Sequence, residues 1–448
     1  MKHIRYILLF SILLGRAGVG LSQDFARVSE RSILGTARYM GMGGAMSAVG
    51  GDPSAVHDNP AGLGLYQRAE ILFSIMGNID RTQMLLTPET KRTFYHTVHP
   101  QASVVFCFPS YTNTDKGILF NNLMFSYQRL QTYGRTLYGF GKNGHSLGAL
   151  IAGADVNWDI DFCSEQRNKA HDLILEERGG VHEFSFNWAM NISHKWYVGA
   201  GLQMQSLTLN GETDYEETFD LKNAEGRTYF NRNITQLIHS GMGASLSAGM
   251  ICRPMKWLRL GVGLQTPGVG YLDIFGSGKL EAQADTFGIS YGGEGRLAKM
   301  SMVWLQPLHA SASVAFQFGA YGMASLQYDI FYRKEVNPIH SLRAGIEVIP
   351  VLGMYINAGY ACESSFRKDD RTVPMDPTFD RQDTYYQFPQ MAHYVSFALG
   401  YRGRYAIVQA AYQYRWQNLH LYAHENAHPY PMHADTHRIV LTVGWHRY

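Results

Sequence analysis

Beyond residue 68 the chain repeats one pattern: short segments in which every second side chain is apolar, separated by turn-rich stretches. Between Tyr405 and Trp416 the even positions read Ala406, Val408, Ala410, Tyr412, Tyr414 and Trp416, while Gln409, Gln413 and Arg415 lie among the odd ones. Successive side chains of a strand point to opposite faces, so such a segment has one greasy and one polar face. Lys195–Thr208 alternates in the same way, and so does Tyr321–Tyr332, where Leu326, Tyr328 and Ile330 oppose Ser325, Gln327 and Asp329. One such segment fits any half-buried sheet. Many in succession, with aromatics near their ends, fit a transmembrane β-barrel.

Fourteen segments qualify, at roughly 69–80, 100–109, 117–130, 181–193, 195–209, 238–252, 257–267, 309–318, 321–332, 340–349, 354–363, 392–402, 405–416 and 437–448. The connections between them alternate in length. Long ones (81–99, 131–180, 210–237, 268–308, 364–391, 417–436) alternate with brief ones such as His194 and Gly403–Arg404, though 333–339 is short. An even strand number, tight turns on one side and long loops on the other are the layout of bacterial outer-membrane barrels. Closure also leaves no backbone group unpaired in lipid. The expected fold is therefore all-β, a 14-stranded antiparallel transmembrane barrel over 69–448 with both ends periplasmic, in the outer membrane of a Gram-negative bacterium. In the last segment Ile439, Leu441, Val443 and Trp445 share one register and Tyr448 falls in the other, which predicts a bulge near His446.

Composition removes the competing classes. A net charge of +2 is too balanced for an electrostatic nucleic-acid binder. Four cysteines in a chain of 448 residues make neither a disulfide framework nor a paired metal-ligand spacing. Lys2, His3 and Arg5 precede the apolar run Tyr6–Leu14 and small residues, so residues 1–22 read as a secretory signal peptide. No other apolar run reaches the ~20 residues of a spanning helix.

Residues 23–68 do not alternate. They are dense in Gly and Ala, with Asp52-Pro53 able to cap and start a short helix and Asn59-Pro60 able to end it. A compact segment feeding a barrel folds most economically inside it, as a hatch. The run Arg38-Tyr-Met-Gly-Met-Gly-Gly-Ala-Met-Ser-Ala-Val-Gly-Gly-Asp52-Pro-Ser-Ala, followed by Asn59-Pro60-Ala61-Gly-Leu, resembles the N-terminal signature of the FadL/TodX family. These are outer-membrane transporters of long-chain fatty acids and aromatic hydrocarbons. Gly261–Pro267, Leu342–Val348 and Phe397–Arg402 also look familial.

The resemblance implies a 14-stranded barrel, a hatch within it, and a kink in the third strand that opens the wall sideways. It places Asn59, Pro60 and Ala61 in the hatch motif near that kink, and allows Phe25 a gating role. On the third strand, adjacent Asn121 and Asn122 put one amide toward lipid, marking either a wall opening or an ordinary bulge. Arg343 and Arg415 lie on polar strand faces, either to meet a ligand carboxylate or to form lumen salt bridges. The implied partners are a hydrophobic small molecule and outer-membrane lipid with its lipopolysaccharide, with the protein a monomer and no cofactor bound.

His420, His424, His428, His433 and His437 recur at near-helical spacing, so metal or haem capture stands beside a plain solvated loop; Pro429 and Pro431 oppose a helix. There is no phosphate loop, and no enzyme is expected. Cys107, Cys252 and Cys362 read as small apolar strand residues, and Cys163 has no evident partner. Passive uptake of hydrophobic small molecules leads. An outer-membrane partner of a secretion system and a diffusion porin are the alternatives.

Overall fold

The computed structural model describes residues 32–85, 92–110, 116–141, 168–220, 228–284, 289–333, 336–365, 386–422 and 429–447. Residues 1–31, with the expected signal peptide and Phe25, lie outside the described residues, as do Cys163, His424, His428 and Tyr448.

Seventeen hydrogen-bonded stretches close into one antiparallel ring. Three of them continue a neighbour in the same wall position, so the ring has 14 strands. They are β1 (Ala69–Met84), β2 (Arg92–Pro109), β3 (Ile118–Thr132, then Arg135–Gly141), β4 (Asn168–Ile192), β5 (Trp196–Asp220), β6 (Thr228–Met255) and β7 (Leu258–Gln265, then Val269–Ala284). The ring continues with β8 (Ile289–Leu305, then Leu308–Gln317), β9 (Gly322–Arg333), β10 (Val336–Val348), β11 (Met354–Glu363), β12 (Tyr386–Arg402), β13 (Ala406–Tyr422) and β14 (Tyr430–Arg447). β14 pairs back onto β1, from Ala69↔Arg447 to Met84↔Met432, without a register shift. Through Arg447 the described pairing holds no bulge, and His446 turns inward onto Glu70, at 3.1 Å.

The breaks in β7 and β8 fall at Pro267 and Pro307, where the ladder lacks a donor, and they lie side by side, with the Gln306 amide donating to the Gly268 carbonyl at 2.9 Å. Every strand is inside-out relative to a soluble sheet. Leu326 is 47% exposed on the outer face, while its neighbour Gln327 is fully buried in the lumen. Phe73, Phe125, Leu246, Val262, Ile356, Leu399 and Leu441 carry the outer apolar band around the ring. No helix of the described residues is long and apolar enough to cross a membrane.

Tight turns join the strands at one end. Ser193 and His194 both take positive φ (55° and 54°) in the three-residue turn between Ile192 and Trp196, where the Lys195 amide donates to the Ile192 carbonyl at 3.1 Å. At the other end the described residues of the expected loops 131–180, 210–237 and 268–308 are largely strand. β4, β5 and β6 run 25, 25 and 28 residues, far beyond the ~10 that cross a bilayer. Above the apolar band the outward positions carry Glu212, Asp214 and Glu216, so the alternation disappears although the pairing continues.

Residues 32–65 lie inside the ring. Two short helices, α1 (Ala37–Gly41) and α2 (Pro53–Asp58), lead into a 3-10 turn, Pro60–Leu65. Asp52 caps α2, accepting from the Ser54 amide at 2.9 Å, with Pro53 in the first position. α1 packs on β11–β14 and the 3-10 turn on β3–β6, so the segment bridges opposite walls.

Candidate functional site

The candidate site is framed by the inner segment and the seam between β2 and β3. The inner segment is tied to the wall by ions and amides. Arg38 of α1 meets Glu347 of β10 through two hydrogen bonds, at 2.7 and 2.9 Å. Asp58 of α2 meets Arg343 of the same strand at 3.1 Å. His57 contacts Glu183 of β4 at 2.8 Å. Burial pushes the Asp52 carboxyl above the usual range, against the opposing pull of the Thr36 hydroxyl and Arg38.

Asn59 is fully buried. Its Oδ1 accepts from the Ala61 amide at 3.1 Å, and its Nδ2 donates to the carbonyls of Ser47, at 3.0 Å, and Met250 of β6, at 3.4 Å. Pro60 opens the 3-10 turn, and Ala61 packs on Tyr197 and Ile251. The wall makes room with a cross-strand glycine pair, Gly199↔Gly249. A Cβ on Gly249 would sit 2.0 Å from the Asn59 Oδ1, and one on Gly199 would sit 2.5 Å from the Pro60 carbonyl.

Asn121 and Asn122 lie where the wall is fully laddered, paired to Phe108 and Cys107 on β2 and to Met190 and Ala189 on β4. Asn122 faces inward, and its amide donates to the Leu63 and Tyr66 carbonyls, both at 2.8 Å. The signal there is thus an anchor for the inner segment. The β2–β3 ladder ends higher, at Ala102↔Tyr127, and among the described residues β2 from Arg92 to Gln101 pairs only with β1.

What removes β3 is local. A bulge falls at Leu130, and the strand breaks at Tyr133–Gly134. Opposite them on β4 stand Gly179 and Gly180; Gly179 has φ +130°, and a Cβ on Gly180 would lie 2.4 Å from the Arg129 guanidinium. Above the break, β3 bends into the mouth, where buried Leu137 packs with Leu419, Leu421, Tyr430 and Met432 of β13 and β14. A small cavity remains between the inner segment and the bulge, lined by Leu34, His57, Asp58, Gln128, Leu130 and Arg343.

Of the two candidate arginines, Arg343 is compensated: Asp58 and Asp329 lie at 3.1 and 3.2 Å, with Tyr39 also at 3.1 Å. Arg415 donates to Tyr394, at 3.1 Å, and to Gln417, at 2.7 Å. The described histidines of the run are not helical. His420 lies in β13, and His433 and His437 lie in β14, bonded to Asn418 and Tyr412 at 2.7 Å each. Four residues of strand span ~13 Å, too far to share a metal. Among the described residues no group of three or more His, Cys, Asp and Glu could hold one.

No family model matches the chain, and no curated relative does. Solved structures do. A Pseudomonas aeruginosa FadL homologue superposes with TM-score 0.59 at 12% identity, covering 93% of this chain and 99% of that one. The Pseudomonas putida toluene transporter TodX gives 0.54 at 13%, over 93% and 99%. The Ralstonia pickettii toluene transporter TbuX gives 0.53 at 14%, over 93% and 100%. This chain has the fold of the FadL and TodX outer-membrane channels.

Proposed function

We propose that the chain is a passive outer-membrane channel for hydrophobic small molecules, with residues 32–65 as its hatch and the β2–β3 seam as its exit. The observation that carries this reading is the unladdered β2 edge beside the break in β3, just above the inner segment. Carrying an apolar molecule through periplasmic water costs about 0.8 kcal/mol per exposed methylene, and a sideways exit into the bilayer avoids it. The tight-turn end faces the periplasm, and the tall β4–β8 wall faces outward with outer-leaflet lipid around its base. Hydrocarbon channels sharing the fold support the substrate class, and the filled lumen argues against a diffusion porin. Expressed in a Gram-negative host lacking hydrophobe channels, the protein raises uptake of labelled toluene and dodecanoate several-fold and leaves that of a sugar unchanged. Equal gains for the sugar would make it a porin.

A further inference from the structure

One geometry recurs four times on the outer face of the barrel. The Tyr127 hydroxyl of β3 lies 2.7 Å from Nδ1 of His182 on β4, and that of Tyr328 on β9 lies 2.6 Å from Nδ1 of His340 on β10. Tyr360 of β11 meets His393 of β12 at 2.9 Å, and Tyr412 of β13 meets His437 of β14 at 2.7 Å. The pairing is diagonal each time. Each tyrosine stands opposite the residue two places nearer the tight turns than its histidine, namely Phe184, Leu342, Val395 and Ile439. Aromatic rings reach across that diagonal.

The four histidines share one height. Each stands about ten residues from the tight-turn end of its strand, which is one bilayer crossing. Below them lies the outer apolar band, and at the tight-turn end the exposed Trp196, Tyr321, Tyr405 and Trp445 form the opposite girdle. Across β12–β14 the upper belt is continuous. The rings of His393 and Trp416 stack with centroids 5.2 Å apart, Trp416 and Tyr414 stack at 5.4 Å, and Tyr414 lies 5.0 Å from His437. Through Ile79 the rung of His437 continues to exposed His96 of β2.

A phenol is a stronger acid than an imidazole N–H, so the tyrosine donates to Nδ1 and the ring's own hydrogen sits on Nε2. A protonated ring carries that hydrogen as well. Each pair therefore presents a fixed donor to the head-group layer. His437 turns its Nε2 toward Asp435, at 3.4 Å. Among the described residues nothing in the protein bonds Nε2 of His182, His340 or His393. Two guanidiniums stand in the same layer: Arg129, directly opposite His182, and Arg81, opposite Asp435 and bonded to it at 2.9 Å. Asp435 is thus engaged from two sides, and the belt offers donors and cations.

We infer that this belt binds the phosphate groups of the outer-leaflet glycolipid, with the Tyr–His pairs holding the imidazole donors at the height of those phosphates. The site is continuous with a surface that lipid already covers, because the tails of the same molecule meet Phe184, Leu342, Phe397 and Ile439 just below. Hydrogen bonds to an ionised phosphate are the strong kind, and a ring oriented by a second bond loses little freedom in making one. The inference does not depend on what the lumen carries.

The test is native mass spectrometry of the full mature barrel in detergent, loaded with lipid A that carries both phosphates or with the same lipid A after both have been removed. At equal lipid concentration the phosphorylated form should be retained at least about tenfold more. Combining His182→Phe, His340→Phe and His393→Phe keeps the rings of an aromatic girdle and removes the donors, and should cut that preference at least about threefold. Folding of the variant is read from resistance to unfolding in dodecyl sulfate on unheated gels. His340→Phe alone, at an exposed position, covers the case in which the triple variant fails to fold, and should cut the preference about twofold. Equal retention of the two lipids by the wild type, or an unchanged preference in a folded variant, overturns the site.

Discussion

Arg38 and Glu347 face each other across the boundary between the inner segment and the wall, joined by two hydrogen bonds at 2.7 and 2.9 Å with both residues buried. Four residues earlier on β10, Arg343 meets Asp58 with the signs reversed. One wall strand therefore holds α1 by a carboxylate and α2 by a guanidinium. Removing one partner of a buried pair leaves an uncompensated charge, typically at 3–5 kcal/mol. Glu347→Gln should speed amide exchange across residues 36–58 more than about 100-fold while the barrel stays intact. The swapped pair Arg38→Glu with Glu347→Arg should recover part of that protection. Unchanged exchange in the single variant would show that the pair does not hold the segment.

Gly249 and Gly243 both face the lumen from β6, yet their surroundings differ. An added Cβ at Gly249 meets Asn59 Oδ1 at 2.0 Å, whereas one at Gly243 finds its nearest atom at 3.4 Å. Gly249→Ala should lower the stability of the 3-10 turn by about 1–3 kcal/mol through overpacking. Gly243→Ala should be neutral within about 0.5 kcal/mol. Hydrogen exchange of Ala61–Leu65 reads the difference.

Gly180 supports the bend. A side chain there would collide with Arg129 Nη2, at 2.4 Å, and with the Gln131 carbonyl, at 2.6 Å. Gly180→Val should force β3 to repack and cut toluene uptake several-fold, with the barrel still resisting dodecyl sulfate on unheated gels. Gly77→Ala, where an added Cβ finds open space, is the matched control.

Asp52 gives the inner segment a pH dependence. Its carboxyl titrates above the ordinary range because of burial. A raised folded-state pKa stabilises the protonated form, so the contribution is complete below about pH 4 and fades as pH rises through the shifted value. Amides of α2 should therefore be better protected near pH 4 than near pH 7, after correction for intrinsic exchange. Asp52→Asn keeps a capping side chain and should flatten that dependence; a slope identical to the wild type's would assign it to another group.

The barrel was legible because its physics repeats. Alternation such as Tyr405–Trp416 needs only a greasy outside and a polar inside, and it marks β13 directly. The strand ends were not legible. Above the bilayer Glu212, Asp214 and Glu216 replace apolar residues, so the pattern stops while the ladder goes on. Asp52-Pro53 announced a helix start because capping is local. Asn122 could not be assigned from its neighbours, since its partners, Leu63 and Tyr66, come from a segment more than fifty residues earlier. The same holds for Gly199 with Gly249: only the pairing of their strands brings them together.

The most direct test of lateral exit is to sew the seam shut. Gln101 and Gln128 would form the next rung after Ala102↔Tyr127 if the ladder continued. With Gln101→Cys and Gln128→Cys joined by a short bifunctional thiol linker, labelled toluene uptake should fall to the level of cells without the protein and return when the linker is cleaved. Uptake undiminished by a fully linked seam would contradict the account.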